Sequence, residues 1–112
     1  MDNEIKTWLY DIQQSIEEVE SYYNHKPEEF EKYAADIKTK RAVERNLEII
    51  DDAVNRIFRK DKDFQLKNAE KITGIRNRIM HGNANVSDEL VWSIVINHLP
   101  MLKEEINYLL NE

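Results

Sequence analysis

Apolar residues recur at intervals of three and four positions along most of this chain, which is the spacing of one face of an α-helix. The first such stripe begins at Asp2 and ends near Tyr23, and the side chain of either Asp2 or Asn3 can cap it. We therefore predict an amphipathic first helix with one buried face. Its apolar positions are Ile5, Trp8, Leu9, Ile12, Ile16, Val19 and Tyr23.

A second helical stretch follows the sequence NHKPEE. Pro27 suits the first turn of a helix, and Glu28 and Glu29 are favourable at the positive end of the helix dipole. We expect this helix to bend near Asp36 and to expose the charged side chains that crowd its outer positions. Its apolar positions are Phe30, Tyr33, Ala34, Ala42, Val43, Leu47, Ile50, Val54 and Ile57.

The charged sequence FRKDKDF, residues 58–64, is predicted to connect this stretch to a third helix over about residues 65–81. The buried side of the third helix would carry Ile72, Ile75 and Ile79. Gly82 is placed where helices commonly end in a left-handed residue.

The last helix has a clear start, because Ser87 can cap it and Asp88 and Glu89 occupy its first turn. Pro100 should kink it. Its apolar positions include Val91, Val95, Leu102, Ile106 and Leu109. Together these segments predict an all-α protein, an antiparallel bundle of four to five helices formed by a single domain over residues 1–112.

The composition fits a helical globular protein and excludes several other classes. The chain is 41% hydrophobic and 34% charged, with two Gly and two Pro, so disorder is not expected. It has no Cys, which excludes a disulfide framework and a thiolate metal site. The acidic start is unlike a signal peptide, and the most apolar stretch, LVWSIVINHLPML, is too short to cross a bilayer. We expect a soluble cytoplasmic protein with no membrane association.

One segment departs from the acidic character of the chain. The net charge is −6, yet no Asp or Glu lies between Glu70 and Asp88, where Lys71, Arg76 and Arg78 stand with a histidine. An acidic chain is a poor general coat for nucleic acid, whose nonspecific affinity comes mainly from Lys and Arg contacts to phosphates. A single local basic site remains compatible with this charge.

The spacing of these residues brings some of them to one face of the predicted third helix. Asn77 lies four residues before His81 and shares its face, and Arg78 flanks it three residues before. Arg76 lies five residues before His81 and is displaced well over a quarter turn around a helix. To act with His81, the Arg76 side chain must extend around the helix or the last helical turn must bend. Alternatively, Arg76 serves the histidine of a second subunit.

His81 and Arg76 are the residue types needed to cleave RNA without a metal. An imidazole at a helix C-terminus, beside guanidinium groups, can exchange protons near neutral pH, and a guanidinium can hold a phosphate by paired hydrogen bonds. These groups could assist attack of a 2'-hydroxyl on its own phosphate. The pattern also fits a solvated helix end with two surface arginines. Taken alone, it favours this simpler interpretation.

Other candidate residues have simpler explanations. His25 is expected at the surface, and His98 is expected to be partly buried beside the apolar stripe of the last helix. No ligand spacing indicates a metal site, and no cofactor is indicated. Trp8 and Trp92 are expected in the core or in dimer contacts.

The segment RNRIMH, Arg76 to His81, resembles the Arg-x4-His signature of the HEPN superfamily, including the Asn that commonly follows the Arg. The flanking sequences RAVERNLEIIDDAV and VSDELVWSIVINHLPMLKEEI are similar to helices of the small HepT-type toxins in that superfamily. The resemblance extends from about Arg41 to Leu110.

This resemblance implies an all-helical homodimer whose motifs face a shared cleft and cleave RNA without metal. In such a site His81 would be the general acid or base, Arg76 the phosphate stabiliser, Asn77 an orienting group and Arg78 an RNA contact. HepT-type toxins usually pair with a minimal nucleotidyltransferase antitoxin that adenylates a tyrosine two residues after the histidine. That position is Asn83 here, so the usual acceptor is absent.

An alternative function follows from the same resemblance. The chain would then be a catalytically inactive interaction module that binds a nucleotidyltransferase partner or a nucleotide. The missing tyrosine at Asn83 keeps this alternative open.

Overall fold

The computed structural model describes residues 1–22, 29–70, 72–73 and 88–111. These residues form five α-helices and one turn of 3₁₀-helix, and they include no strand, which confirms the prediction of an all-α bundle. The elements are α1 (Asn3–Glu20), α2 (Phe30–Ala35), α3 (Ile37–Lys60), the 3₁₀ turn Lys67–Ala69, α4 (Asp88–Asn97) and α5 (Leu99–Leu110).

The first helix begins as its sequence predicts. The Asp2 carboxylate accepts hydrogen bonds from the backbone N–H groups of Glu4, at 2.8 Å, and Ile5, at 3.1 Å. These donors would otherwise lack partners at the helix start. The bond from Ile5 is the main reason that the pKa of Asp2 is lowered. Of the two proposed caps, Asp2 is therefore the one used.

The predicted bend near Asp36 is a complete break between α2 and α3. Asp36 has an extended backbone, with φ −102° and ψ 93°, and its side chain caps the second of these helices. Its carboxylate accepts from the Thr39 hydroxyl at 2.6 Å and from the Thr39 backbone N–H at 3.1 Å. The hydroxyl bond is the largest cause of the lowered pKa of Asp36.

The sequence FRKDKDF was expected to be a loop, and for its first three residues this prediction is wrong. Residues 58–60 form the last turn of α3, and the N–H of Asp61 still bonds to the carbonyl of Ile57 at 2.9 Å. Two tertiary effects extend the helix. Ile57 is fully buried, and Lys60 pairs with Glu4 and Asp2 at the start of α1. The pairing with Glu4 is also the main reason that the pKa of Lys60 is raised.

The predicted start of the third helix is also wrong. Residues 65 and 66 are not helical, and Lys67–Ala69 form a short 3₁₀ turn. Hydrogen bonds to the side chain of Glu105 satisfy the backbone there in place of a helical ladder. The remaining predictions for residues 74–87, including the helix end at Gly82 and the Ser87 cap, lie outside the described residues, as does Pro27.

The predicted last helix is divided in two at His98, and Pro100 lies in the first turn of α5. A proline has no N–H to donate to the carbonyl four residues earlier, so the helical ladder cannot run through this point unchanged. The N–H of His98 still bonds to Ile94 and the N–H of Leu102 bonds to His98. The kink expected from Pro100 is thus a break centred two residues before it.

One hydrophobic core joins all five helices. The stripe of α1 packs against α3 and α5, and α5 also contacts α4. Trp92 is only 6% exposed, which confirms its placement in the core, and Trp8 packs against the core while partly exposed. The side chains of Gln13 and Asn107 add a hydrogen bond of 2.7 Å between α1 and α5. None of the helices in the described ranges has both the length and the apolar character needed to cross a membrane.

Two neighbouring isoleucines test the assignment of the buried face of α3. Ile50 is fully buried, whereas Ile49 is 38% exposed. We expect Ile50→Ala to lower the free energy of unfolding by about 2–5 kcal/mol, because it leaves a cavity in the core. The matched variant Ile49→Ala should change it by about 0.5 kcal/mol or less. Urea unfolding of both variants measures the difference, and equal losses would show that the helix face is wrongly assigned.

Candidate functional site

The candidate site residues Arg76, Asn77, Arg78, His81 and Asn83 lie outside the described residues. The structure does describe the chain on both sides of them, ending at Thr73 and resuming at Asp88. We call the chain at Thr73 the incoming end and the chain at Asp88 the outgoing end. Their surroundings define what the fold contributes to the site.

The incoming end is fixed by the carbonyl of Ala69. This oxygen accepts the backbone N–H of Ile72 at 3.0 Å, the backbone N–H of Thr73 at 3.1 Å and the Thr73 hydroxyl at 3.1 Å. Ala69 and Ile72 are buried in the core. The chain is thus held as far as Thr73, three residues before Arg76.

A carboxylate from the last helix holds the same end from the other side. Glu105 Oε2 accepts the N–H of Lys67 at 2.8 Å, and Glu105 Oε1 accepts the N–H of Asn68 at 2.9 Å. The Asn68 side-chain amide donates a third bond to Oε1, at 3.1 Å. Hydrogen bonds to an ionised acceptor are about twice as strong as neutral ones. We call Glu105 and its three bonds the Glu105 clamp.

The outgoing end is held by α3 and by the core. Asp88 Oδ2 lies 3.2 Å from the Nζ of Lys40, and both side chains are partly exposed, so this ion pair contributes only about 0–1 kcal/mol. Val91 and Val95 are each 1% exposed and bury the inner face of α4. Packing, more than the ion pair, therefore fixes the position of α4.

An aromatic cluster joins the outgoing end to α2. The rings of Tyr33 and Trp92 are stacked, with centroids 5.1 Å apart and planes inclined by 28°. The ring of Phe30 lies 6.5 Å from that of Trp92 at 54°. Each such pair is worth about 0.5–1.5 kcal/mol beyond the burial of its area. These contacts pack α2 against α4.

Concave surfaces adjoin both ends. A cavity of about 610 Å³ borders the incoming end, and one of about 260 Å³ borders the outgoing end. The first is lined by Phe58, Leu66, Lys67, Ala69, Glu70 and Thr73, and the second by Phe30, Glu89, Trp92, Ser93, Ile96 and Asn97. Neither was foreseen from the sequence, and the second joins Phe30 of α2 to residues of α4 that lie far away in the chain.

A smaller cavity of about 190 Å³ contains the one histidine that the structure describes. Its lining residues are Lys67, Asn68, Glu70, His98 and Met101. His98 is half-buried, as its place near an apolar stripe predicted. Within the described ranges, no group of three or more His, Asp or Glu side chains is arranged to hold a metal ion.

The charge of the chain is divided unevenly around the site. Of the 16 Lys and Arg, three lie in residues 71–87, and none of the 22 Asp and Glu do. That segment therefore carries +3 and the rest of the chain −9, with His counted as neutral. A polyanion would be attracted to the positive charge of this segment and repelled by the net negative charge of the rest of the chain.

Comparison with known proteins identifies a family. The family described as "Ribonuclease HepT-like" matches residues 12–109. "Putative RNase MJ0127" of Methanocaldococcus jannaschii is 27% identical, over 97% of this chain and 89% of that protein. "Putative RNase MJ1380" of the same organism is 29% identical, over 92% of this chain and 94% of that protein.

A bacterial relative extends this comparison. "Putative RNase TTE0752" of Caldanaerobacter subterraneus subsp. tengcongensis is 28% identical, over 74% of this chain and 75% of that protein. No solved structure matches the chain significantly.

Proposed function

Because this chain belongs to the HepT-like ribonuclease family, we propose that it is a metal-independent RNA endonuclease whose cleaving groups are Arg76 and His81. The observation that carries the proposal is the extent of the family match. It covers residues 12–109, and so includes the incoming end at Thr73, the outgoing end at Asp88 and the whole basic segment, residues 71–87.

The proposed reaction needs only groups that this segment supplies. The 2'-oxygen of a ribose attacks the neighbouring phosphorus as His81 accepts the hydroxyl proton, and the bond from phosphorus to the 5'-oxygen breaks. The His81 imidazolium formed in this way donates its proton to that 5'-oxygen, leaving a 2',3'-cyclic phosphate and a 5'-hydroxyl. Arg76 neutralises the charge that develops on the phosphate oxygens. Asn77 orients the site and Arg78 contacts the RNA backbone.

We propose that the site is completed between two copies of the chain. Arg76 and His81 are five residues apart, so on a regular α-helix their side chains would point in directions about 140° apart. In a cleft shared by a homodimer, Arg76 of one copy serves His81 of the other.

The proposed biological setting is a toxin paired with a nucleotidyltransferase antitoxin, as in HepT-type systems. Asn83 stands where those toxins carry the tyrosine that receives adenylate. An asparagine amide is not such an acceptor. Inhibition by binding is therefore the form of control that we propose for this chain.

The same substitution supports a second candidate, a catalytically inactive module that binds a nucleotidyltransferase or a nucleotide. If the missing tyrosine normally helps to bind RNA, Asn83 would weaken cleavage as well as modification. Only the first candidate requires the basic segment to break a phosphodiester bond. In the second, this segment holds a nucleotide or is simply solvated.

RNA cleavage in EDTA separates the two candidates. We expect the purified protein to cut end-labelled RNA with EDTA present and to leave 2',3'-cyclic phosphate ends. His81→Ala and Arg76→Ala should each reduce the rate by a factor on the order of 100 or more, because each removes a group needed in the transition state. Gel analysis of the products measures both the rate and the chemistry of the ends.

Arg59→Ala is the matched control, because Arg59 is an exposed arginine on α3 and lies outside the basic segment. It should cleave at the rate of the unaltered protein. Equal cleavage by all three variants would assign the activity to a contaminant. No cleavage by folded, unaltered protein would favour the interaction module.

The salt dependence of RNA binding tests the role of the basic segment. We expect Lys71→Ala and Arg78→Ala, each in an uncleaving His81→Ala background, to reduce the slope of log affinity against log salt by about 0.7. The reduction would be about 1.4 if both copies in a dimer contact one RNA strand. Fluorescence anisotropy measures the slope, and Arg59→Ala should leave it unchanged. Unchanged slopes in the two segment variants would place the RNA elsewhere.

A further inference from the structure

We infer that Glu105 is a positioning residue for the cleaving site. By holding the backbone of Lys67 and Asn68 against α5, it sets the path along which the chain approaches Arg76 and His81. This inference rests on the proposed function, since it concerns the geometry of the same site. It assigns a role to a residue outside the motif, 24 positions after His81 in the sequence.

The Glu105 clamp uses both oxygens of one carboxylate. One oxygen accepts the Lys67 N–H at 2.8 Å, and the other accepts the Asn68 N–H and side-chain amide at 2.9 and 3.1 Å. Two adjacent backbone positions are therefore tied to one side chain. A single hydrogen bond would leave the chain free to pivot, whereas bonds to two successive N–H groups fix its direction as well as its position.

The clamp is itself held by the core. Leu102 and Ile106, which flank Glu105 on α5, are both fully buried. Asn107, two residues after Glu105, accepts a hydrogen bond from Gln13 of α1 at 2.7 Å. The backbone position from which the Glu105 side chain extends is thus set by the packing of α5.

The residues between the clamp and Thr73 are held by burial and by hydrogen bonds. Ala69 follows Asn68 directly and is 1% exposed, and Ile72 is fully buried. The Ala69 carbonyl holds the N–H groups of Ile72 and Thr73. Loss of the clamp would release the start of this stretch, and Arg76 lies only three residues beyond its end.

Such a displacement should affect the chemical step more than binding. RNA affinity depends on positive charges that every clamp variant keeps. The rate of cleavage depends on the alignment of reacting groups, and a misplacement of about 1 Å can reduce it on the order of a hundredfold. The expected signature is therefore a fall in kcat with little change in KM.

The chain offers a matched control beside the clamp. Glu104 is the neighbouring residue, has the same side chain and is exposed, and its side chain makes no hydrogen bond or ion pair with any other residue that the structure describes. Glu104→Ala therefore makes the same change in charge and composition as Glu105→Ala. Any difference between the two variants reports the clamp.

The test compares steady-state cleavage of a defined RNA by the unaltered protein, Glu105→Ala and Glu104→Ala, at a temperature where all three are folded by circular dichroism. We expect Glu105→Ala to reduce kcat by about tenfold or more, with KM changed by about threefold or less. Glu104→Ala should stay within about twofold of the unaltered protein in both constants. Equal kcat values for the two variants would overturn the inference.

A graded pair of variants covers the case in which Glu105→Ala does not fold. Asn68→Ala removes one of the three bonds, and Glu105→Gln keeps an oxygen for Asn68 but sets an N–H₂ group against the Lys67 N–H. We expect kcat to fall in the order unaltered protein, Asn68→Ala, Glu105→Gln. Unchanged kcat in both folded variants would also overturn the inference.

Hydrogen exchange distinguishes failure of this inference from failure of the proposed function. In NMR spectra of the unaltered protein, the Lys67 and Asn68 amide hydrogens should be protected, and Glu105→Gln should expose the Lys67 amide. If the unaltered protein cleaves no RNA, the proposed function fails and the positioning role with it, whatever the exchange shows. If it cleaves RNA but the Lys67 amide exchanges freely in both proteins, only the clamp is overturned.

Discussion

Burial of the apolar stripe of α1 against α3 and α5 is the constraint on which the rest of the described structure depends. Leu9, Ile12 and Ile16 are fully buried in this packing. With α1 in place, α5 presents Glu105 to the chain that leads into the basic segment. The same packing seats α3, whose Lys40 meets Asp88 where the chain leaves that segment. The core therefore fixes the chain on both sides of the candidate site, at the incoming end and at the outgoing end.

Local chemistry explains which parts of the fold could be predicted. The break at Asp36 and the interruption near Pro100 follow from capping and from a missing N–H, which are properties of a few adjacent residues. The extension of α3 to Lys60 depends on pairing with Glu4 and Asp2, far away in sequence. The loss of helix at residues 65–66 likewise accompanies the contacts of Glu105, which no periodic pattern reveals.

For the candidate site too, features of adjacent residues could be predicted from the sequence, and contacts between distant residues could not. The spacing of Arg76 and His81, and the lack of acidic residues around them, can be read directly from the chain. That pattern alone favours an ordinary solvated helix end, and it is the family match over residues 12–109 that changes the balance towards a ribonuclease. The adjacent pair Glu104 and Glu105 gave no sign that one member is exposed while the other holds the incoming chain.

Subunit mixing tests most directly our proposal that Arg76 of one copy acts with His81 of another. Arg76→Ala and His81→Ala proteins, each inactive alone, would be mixed under conditions of subunit exchange and assayed for RNA cleavage. In a shared site, a mixed dimer has one site with both residues intact and one with neither, so cleavage should return to about half the unaltered rate per mixed dimer. If mixed dimers form and remain inactive, Arg76 and His81 act within one chain, and the shared site is contradicted.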